Sequence, residues 1–284
     1  RLYPQAPLYT AVYDPERALW AKVFPKVVPS FLQKWPLAKT HHELYPWLMP
    51  LVFESFDFSG YDLVISVTSA EAKAVITRPG TRHICYCLTP TRYLWSHQKE
   101  YLSEPGLGRW LKPAQAYLQK NDLVYAQRPD EYIAISRTVQ KRIKKYYGRE
   151  SVVIYPPVDT QKFLPSSRLE DYFLLVSRLV AYKKIDLAIK AFNQLGRRLI
   201  IVGRGRDSRR LKSLAGPTIS FTGWISDGQL ADYYRNCQAL IMPQEEDFGI
   251  VAVEAQASGR PVIAFGRGGP AETIVAHKTG IFFK

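Results

Sequence analysis

Short apolar runs alternate with stretches of helical period throughout the second half of the chain. The apolar runs are typical of buried parallel strands and lie at 172–176, 199–202, 218–221, 239–242, 261–265 and 280–283. Helical spacing occurs between them, at 183–195, 207–214, 228–236, 249–258 and 270–276. Strands and helices that alternate at this interval predict a doubly wound parallel α/β sheet.

The first half of the chain shows the same alternation less regularly. Its apolar runs predict strands at 62–67, 82–88, 131–135 and 151–155. Two consecutive prolines, Pro156 and Pro157, then stiffen the backbone and fix the direction in which the chain continues. We therefore expect one domain over residues 1–155, a linker over 156–168 and a second domain over 169–284.

Length and charge narrow the class of protein. A chain of 284 residues, 46% of them hydrophobic, can form two domains with cores of their own. No apolar run reaches the roughly 18 residues of a membrane span, and no leader pattern opens the chain. Three cysteines in apolar settings predict a reducing cytoplasm rather than a disulfide framework. The net charge of +14 favours phosphate-bearing partners, whether nucleotides, anionic lipid headgroups or nucleic acids.

Residues 38–56 combine paired histidines with a cluster of apolar side chains. His41 and His42 are neighbours in sequence and would face apart on a helix, so a metal site is not predicted. Core packing is the favoured interpretation of the apolar cluster, and a membrane-contact face is the alternative. The cluster consists of Trp47, Leu48, Met49, Leu51, Val52 and Phe53.

The strongest candidate chemistry lies between the fourth and fifth predicted strands of the second half. An acidic loop that contains Glu246 leads through Phe248 and Gly249 into a helix that carries Glu254, with seven residues between the two glutamates. Ligands of an open parallel sheet bind outside the carboxyl ends of its strands, where the first amides of such a helix form an anion site. Two carboxylates beside an anion site suit a nucleotide sugar. Its diphosphate needs amides and cations, and its hydroxyls need acceptors.

This run and the following residues 257–263 resemble the Glu-x7-Glu signature of glycosyltransferase family 4, retaining enzymes of the GT-B architecture. The resemblance implies two Rossmann-like domains that face each other across a cleft, with both chain ends trimmed relative to family members. Residues 85–95 further resemble a branch of bacterial mannosyltransferase-like proteins. Leu88 stands where many of those relatives carry a histidine, so the role of that histidine does not transfer.

The resemblance also implies roles for individual residues. Arg178 and Lys183 match the cations of the family that bind the donor diphosphate, and they would stabilise its charge as it leaves. Glu246 would hold the donor sugar and Glu254 the ribose. The further candidates are the donor-side Gly203, Gly205, Phe248, Gly249, Ile250, Gly268 and Gly269, and the acceptor-side Arg92 and Trp95.

The function that the resemblance implies is retaining transfer of a hexose, with mannose favoured, from a nucleotide-diphosphate sugar to a glycan or polyprenyl-diphosphate-linked acceptor. GDP-mannose is the favoured donor and UDP-sugars stay open. No metal ion or other cofactor is expected, because two cations and a helix N-terminus can serve the diphosphate. The protein would act in the cytoplasm, at the inner face of the membrane. The alternatives are a nucleotide-sugar epimerase or hydrolase of GT-B form, and a basic nucleic-acid-binding protein, for which no recognition motif is present.

Overall fold

The computed structural model of the chain describes residues 3–42, 45–96, 98 and 107–284. The chain divides into two compact units. The first comprises Arg1–Ile135 and Val139–Val153, and the second comprises Ser136–Thr138 and Ile154–Lys284. Both units are built on parallel sheets, which confirms the predicted α/β class.

Within the described residues, the first unit contains a two-stranded and a four-stranded parallel sheet. The strands are β1 (Leu8–Thr10), β2 (Val27–Pro29), β3 (Leu63–Thr68), β4 (Arg82–Cys87), β5 (Glu131–Ala134) and β6 (Val152–Val153), of which β3 to β6 lie side by side in that order. The helices are α1 (Met49–Glu54), α2 (Leu107–Tyr125) and α3 (Arg137–Tyr147), with 3-10 helices at Leu19–Val23, Phe31–Lys34 and Glu71–Ala74.

The second unit is a six-stranded parallel sheet in the order β12-β11-β10-β7-β8-β9. Its strands are β7 (Phe173–Val176), β8 (Leu199–Val202), β9 (Ile219–Gly223), β10 (Leu240–Met242), β11 (Val262–Phe265) and β12 (Gly280–Phe283). Its helices are α4 (Ile185–Leu195), α5 (Ser208–Leu214), α6 (Asp227–Asn236), α7 (Ile250–Ala257) and α8 (Pro270–Thr273), with a 3-10 helix at Ala181–Lys183. The doubly wound sheet predicted for this half is confirmed.

Residues on both faces of this sheet are buried, which explains why its strands are continuous apolar runs. Along β8, Leu199 and Ile201 belong to one hydrophobic layer. Ile200 and Val202 belong to the layer on the other side. A strand that is covered on both faces shows no alternation of polar and apolar residues. The predicted strand at 151–155 is shorter in the structure, because Pro156 follows and cannot donate to a ladder.

The apolar cluster at 47–53 divides between the core and the surface. Met49 and Val52 pack with Leu32 and Ala38 in a small core, as predicted. Leu51 and Trp47 are 53% and 62% exposed, so core packing was the wrong prediction for these two side chains. α1 has only six residues, and a helix of that length can turn only part of its surface inward.

His83 on β4 is fully buried, and this burial should make the first unit sensitive to acid. One ring nitrogen lies 2.8 Å from the Ser66 hydroxyl. Burial lowers the pKa of His83 to about 4, although the nearby Asp130 opposes the shift. The unfolded chain, with a histidine pKa of about 6.5, therefore binds more protons than the folded chain between pH 6.5 and 4.

The free energy of unfolding should consequently fall by about 3 kcal/mol as the pH is lowered through this window. Urea denaturation at pH 7, 5.5 and 4 measures the slope. A His83→Gln variant removes the titrating group and should show a flatter pH dependence. A slope equal to that of the wild type would contradict this account.

Candidate functional site

Apart from Ile250 and Glu254, which lie on α7, the candidate residues of the second unit lie in the segments that follow the carboxyl ends of four adjacent strands. The loops follow β7, β8, β10 and β11, and these strands are neighbours in the order β11-β10-β7-β8. The chain numbering reverses between β10 and β7, which marks a topological switch point of the sheet. In open α/β sheets such a point opens the crevice in which ligands bind.

Lys183 and Glu246 form an ion pair at this switch point. Lys183 ends the 3-10 helix after β7 and is almost fully buried, and its Nζ donates to Oε1 of Glu246. Gln244 Nε2 donates to the same carboxylate oxygen at 2.8 Å. The amide oxygen of Gln244 is also buried, and no group of the described residues donates to it. The site therefore holds a neutralised pair and an open acceptor, so a ligand hydroxyl could supply the missing hydrogen bond.

Arg178 lies at the surface beside this pair. Its Nη2 donates to the Tyr182 hydroxyl at 2.6 Å. The centroid of the Tyr182 ring lies 5.2 Å from Lys183 Nζ, so one tyrosine contacts both candidate cations. The structure thus gathers Arg178 and Lys183 around a residue that the sequence did not single out. Tyr182 could have been identified from the sequence, because it directly precedes Lys183 in the chain.

Glu254 lies on α7 and has different partners from Glu246. Tyr234 of α6 donates its hydroxyl to Oε2 of Glu254 at 2.8 Å. Burial raises the pKa of Glu254, while the Tyr234 hydrogen bond and the charge of Lys162 act in the opposite direction. The contact joins residues on two helices, and no sequence pattern around Tyr234 predicts it. Tyr234 therefore orients the carboxylate of Glu254 through one of its oxygens.

Gly203 and Gly205 allow the loop after β8 to lie against the loop after β7. A Cβ atom on Gly203 would lie 1.9 Å from the Ser177 carbonyl oxygen, and one on Gly205 would lie 2.1 Å from that of Leu179. Gly203 also has a φ of +135°, a conformation that L side chains rarely adopt. The family resemblance implied that these two glycines lie on the donor side of the site. The structure shows close approach between two parts of the backbone.

Gly268 and Gly269 fix the acidic loop in the same way. Gly268 forms a parallel bridge with Glu246, and the amide of Gly269 donates to the Glu246 carbonyl oxygen at 2.7 Å. Cβ atoms would lie 2.3 Å from that oxygen at Gly268 and 2.3 Å from the Phe248 Cα at Gly269. The loop after β11 therefore orients the backbone of Glu246.

The start of α7 is held by packing and by backbone conformation. Phe248 is buried, and its ring stacks on that of Tyr155 with centroids 5.8 Å apart. Gly249 caps the helix with a φ of +83°. Ile250, the first helical residue, is partly exposed. These three residues place α7 against the loop that carries Glu246.

The two acceptor-side candidates belong to the first unit. Arg92 is half-buried in the turn after β4. Trp95 donates its Nε1 proton to Oδ2 of Asp122 at 2.7 Å. The other oxygen of Asp122 accepts from Lys73 Nζ at 2.6 Å, and both charged side chains are buried. The polar atom of Trp95 is thus bonded inside the unit.

Two negative findings apply to the described part of the chain. In residues 3–42, 45–96, 98 and 107–284, no three His, Cys, Asp or Glu side chains are grouped so that they could hold a metal ion. Across the same residues, the helices are all too short or too polar to cross a bilayer.

Comparisons with known proteins bear on the second unit most directly. The family model described as glycosyl transferases group 1 matches residues 159–284. A GDP-mannose-dependent alpha-mannosyltransferase of Mycobacterium tuberculosis is 38% identical over 136 residues, which are 44% of this chain and 36% of that protein. A GDP-mannose-dependent alpha-(1-6)-phosphatidylinositol monomannoside mannosyltransferase of the same species is 30% identical over 179 residues, 52% of this chain and 46% of that protein. The chain thus spans less than half of either relative.

Solved structures show the fold over most of the chain. Anabaena HepE in complex with UDP-glucose superposes with a TM-score of 0.69 at 19% identity, covering 98% of this chain and 78% of that one. Sucrose-phosphate synthase from Thermosynechococcus elongatus gives a TM-score of 0.67 at 19% identity, with 90% and 69% covered. The fold is that of GT-B glycosyltransferases, and residues 159–284 match the family model of group 1 glycosyl transferases.

Proposed function

We propose that the protein is a glycosyltransferase that moves a hexose, mannose before others, from a nucleotide-diphosphate sugar to a glycan or lipid-linked acceptor. The observation that carries the proposal is the Lys183–Glu246 pair at the switch point of the family-matched unit. A cation for phosphate and a carboxylate for hydroxyls meet there, which is the pairing that a sugar phosphate requires. Neither the family match nor the relatives' names favour an epimerase, a hydrolase or a nucleic-acid-binding protein.

In this proposal Lys183 and Arg178 hold the diphosphate. The ammonium group of Lys183 has three protons, so it can keep Glu246 oriented while it binds a phosphate oxygen. Arg178 adds a second charge from the surface side. Both interactions gain strength as the bond from the anomeric carbon to the diphosphate breaks, because negative charge then accumulates on the leaving oxygen.

The bond changes are those of transfer with retention. The acceptor oxygen forms a bond to the anomeric carbon on the face that the diphosphate leaves, and the acceptor proton passes to an oxygen of the departing diphosphate. Glu246 and the backbone from Phe248 to Ile250 hold the sugar in this proposal. Glu254, oriented by Tyr234, holds the ribose, and the open amide oxygen of Gln244 takes a further hydroxyl.

GDP-mannose is the donor that we propose, without a metal ion. The names of both mycobacterial relatives support it, since each is called GDP-mannose-dependent. A UDP-sugar is the second candidate, because the structure of Anabaena HepE contains UDP-glucose. The acceptor that we propose is linked to a polyprenyl diphosphate at the cytoplasmic face of a membrane, in keeping with the net charge of +14.

Titration calorimetry with GDP and with GDP-mannose tests the roles of the two glutamates. The ribose is common to both ligands, so Glu254→Ala should weaken both by about 1–3 kcal/mol. Glu246→Ala should leave the affinity for GDP almost unchanged and reduce the advantage of GDP-mannose over GDP, because only GDP-mannose has the sugar. EDTA should change neither affinity, because side-chain cations of the protein, rather than a metal ion, bind the diphosphate.

Glu245→Ala is the matched control, because it removes an exposed carboxylate from the same loop. It should alter neither titration. The opposite pattern, with GDP binding lost in Glu246→Ala and kept in Glu254→Ala, would reverse the assignment. Normal binding of both ligands by both variants would remove the basis of the proposal, and preference for UDP-glucose over GDP-mannose would change the donor alone.

A further inference from the structure

A group of large apolar side chains lies at the surface of the first unit, around the 3-10 helix Phe31–Lys34 and the start of α1. Each of these side chains is at least 42% exposed: Phe31, Trp35, Leu37, Trp47 and Leu51. Single exposed apolar residues are ordinary, whereas a contiguous group marks a surface that contacts something else. We call this group, together with Lys34 and Lys39, the aromatic–lysine surface.

The members of the aromatic–lysine surface lie close in sequence to one small core. Leu32, Ala38, Met49 and Val52 form that core, and the exposed side chains are their neighbours in sequence. Trp35 and Trp47 are joined through Tyr45, whose ring centroid lies 5.7 Å from one and 6.3 Å from the other.

The backbone also holds an apolar residue outward at a cost. Leu37 has a φ of +57°, a left-handed conformation that is unusual for a leucine, and its side chain is 64% exposed. The Tyr45 hydroxyl donates to the carbonyl of the preceding Pro36 at 2.7 Å and fixes this turn. A strained turn that presents a leucine to solvent is consistent with a contact role.

The charge of this part of the chain is uniformly positive. From Arg17 to His42 the sequence contains five cations and no carboxylate. Lys34 and Lys39 are exposed beside the apolar side chains, and Lys22 and Lys26 are exposed just before them. An anionic partner is therefore complementary to this surface.

A lipid bilayer fits this combination better than a protein or a nucleic acid. Protein interfaces are depleted in lysine, whereas exposed lysines attract anionic headgroups. Tryptophan and tyrosine favour the boundary between headgroups and acyl chains. Leu37 and Leu51 can enter the acyl region, whereas exposed aliphatic side chains contribute nothing to the base stacking by which single-stranded nucleic acids bind.

We propose that the aromatic–lysine surface docks the protein on an anionic lipid bilayer. Trp35, Trp47 and the two leucines enter the interface, and Lys34 and Lys39 contact the headgroups. This docking rests on the proposed function, because a lipid-linked acceptor is what would require the protein to be at a membrane. Docking itself is measured without donor or acceptor, so it can fail while the proposed transfer stands.

Sedimentation with vesicles tests this proposal. The wild-type protein should bind vesicles of phosphatidylcholine with 30% phosphatidylglycerol, and should bind pure phosphatidylcholine far less. Lys34→Glu combined with Lys39→Glu should weaken binding by about 25-fold or more, because each lysine near an anionic surface contributes roughly a factor of five. Trp35→Ala combined with Trp47→Ala should weaken binding at least about tenfold on both kinds of vesicle.

Matched controls lie in the second unit. Trp224 is 70% exposed and Lys190 and Lys278 are exposed, so Trp224→Ala and the pair Lys190→Glu with Lys278→Glu repeat the same chemistry elsewhere. These controls should bind vesicles like the wild type, and all variants should keep the wild-type affinity for GDP as a check of folding. Equal losses in surface and control variants would overturn the proposal, as would absence of wild-type binding. A dimer that dissociates in the tryptophan variant would assign the surface to a second copy instead.

Discussion

Alanine at position 203 is expected to destabilise the second unit by at least about 3 kcal/mol and to abolish nucleotide binding. The new Cβ atom would lie 1.9 Å from the Ser177 carbonyl oxygen, so the loops after β7 and β8 would have to separate. The φ of +135° at Gly203 adds backbone strain that alanine cannot relieve. Because the loop after β7 carries Arg178 and Lys183, its displacement removes both cations from the site.

Urea denaturation and GDP calorimetry measure the two effects. Gly228→Ala is the matched control, because Gly228 lies in α6, has no positive φ, and has no atom within 4 Å of its added Cβ. That change should leave GDP binding intact and stabilise the protein by about 0.5–1 kcal/mol. Wild-type stability of Gly203→Ala would show that the two loops can separate freely.

The strands of the second unit were predictable because burial on both faces leaves a clear signal. Runs such as 199–202 match β8 residue for residue. In the first unit the hydrophobic pattern was a poorer guide wherever the helices and strands are short and irregular. Leu51 differs from Met49 and Val52 in the face of α1 that it occupies, and a six-residue helix contains too few turns to reveal a face; Trp47 lies in the turn before α1.

The candidate site was predictable as a set of residues but not as a set of contacts. Glu246, Lys183 and Glu254 were identified from local spacing and from the family resemblance. The Lys183–Glu246 pair joins residues 63 positions apart, and it exists because β10 lies beside β7 in the sheet. Strand order is a tertiary property that no local pattern encodes. The same reason applies to Tyr234 and Glu254, which meet only once α6 and α7 have packed.

The buried pair of Lys73 and Asp122 is expected to produce the largest single effects in the first unit. Lys73 Nζ donates to Asp122 at 2.6 Å, to the Ala70 carbonyl at 2.6 Å and to Thr91 Oγ1 at 3.1 Å. Removing one partner leaves a buried charge without compensation, which costs about 3–5 kcal/mol. Lys73→Met and Asp122→Leu should each lower the free energy of unfolding by that amount.

The double variant distinguishes an ion pair from mere packing. Lys73→Met with Asp122→Leu removes both charges, so we expect it to be more stable than either single variant by about 2 kcal/mol or more. Urea denaturation of all four proteins measures the coupling. Arg197→Met in the exposed pair with Asp171 is the control and should cost less than about 1 kcal/mol. A double variant that is as unstable as the sum of the single changes would contradict the pairing.

The double variant should regain only part of the lost free energy of unfolding, because Asp122 also accepts hydrogen bonds from two other side chains. Asp122 also accepts from Trp95 Nε1 at 2.7 Å and from Thr91 Oγ1 at 2.9 Å, and leucine at 122 leaves both donors unpaired. Thr91 and Trp95 lie on either side of Arg92 in the turn after β4. If that turn faces the acceptor, the double variant should keep GDP affinity while it loses affinity for the acceptor, which separates positioning of the turn from stability of the fold.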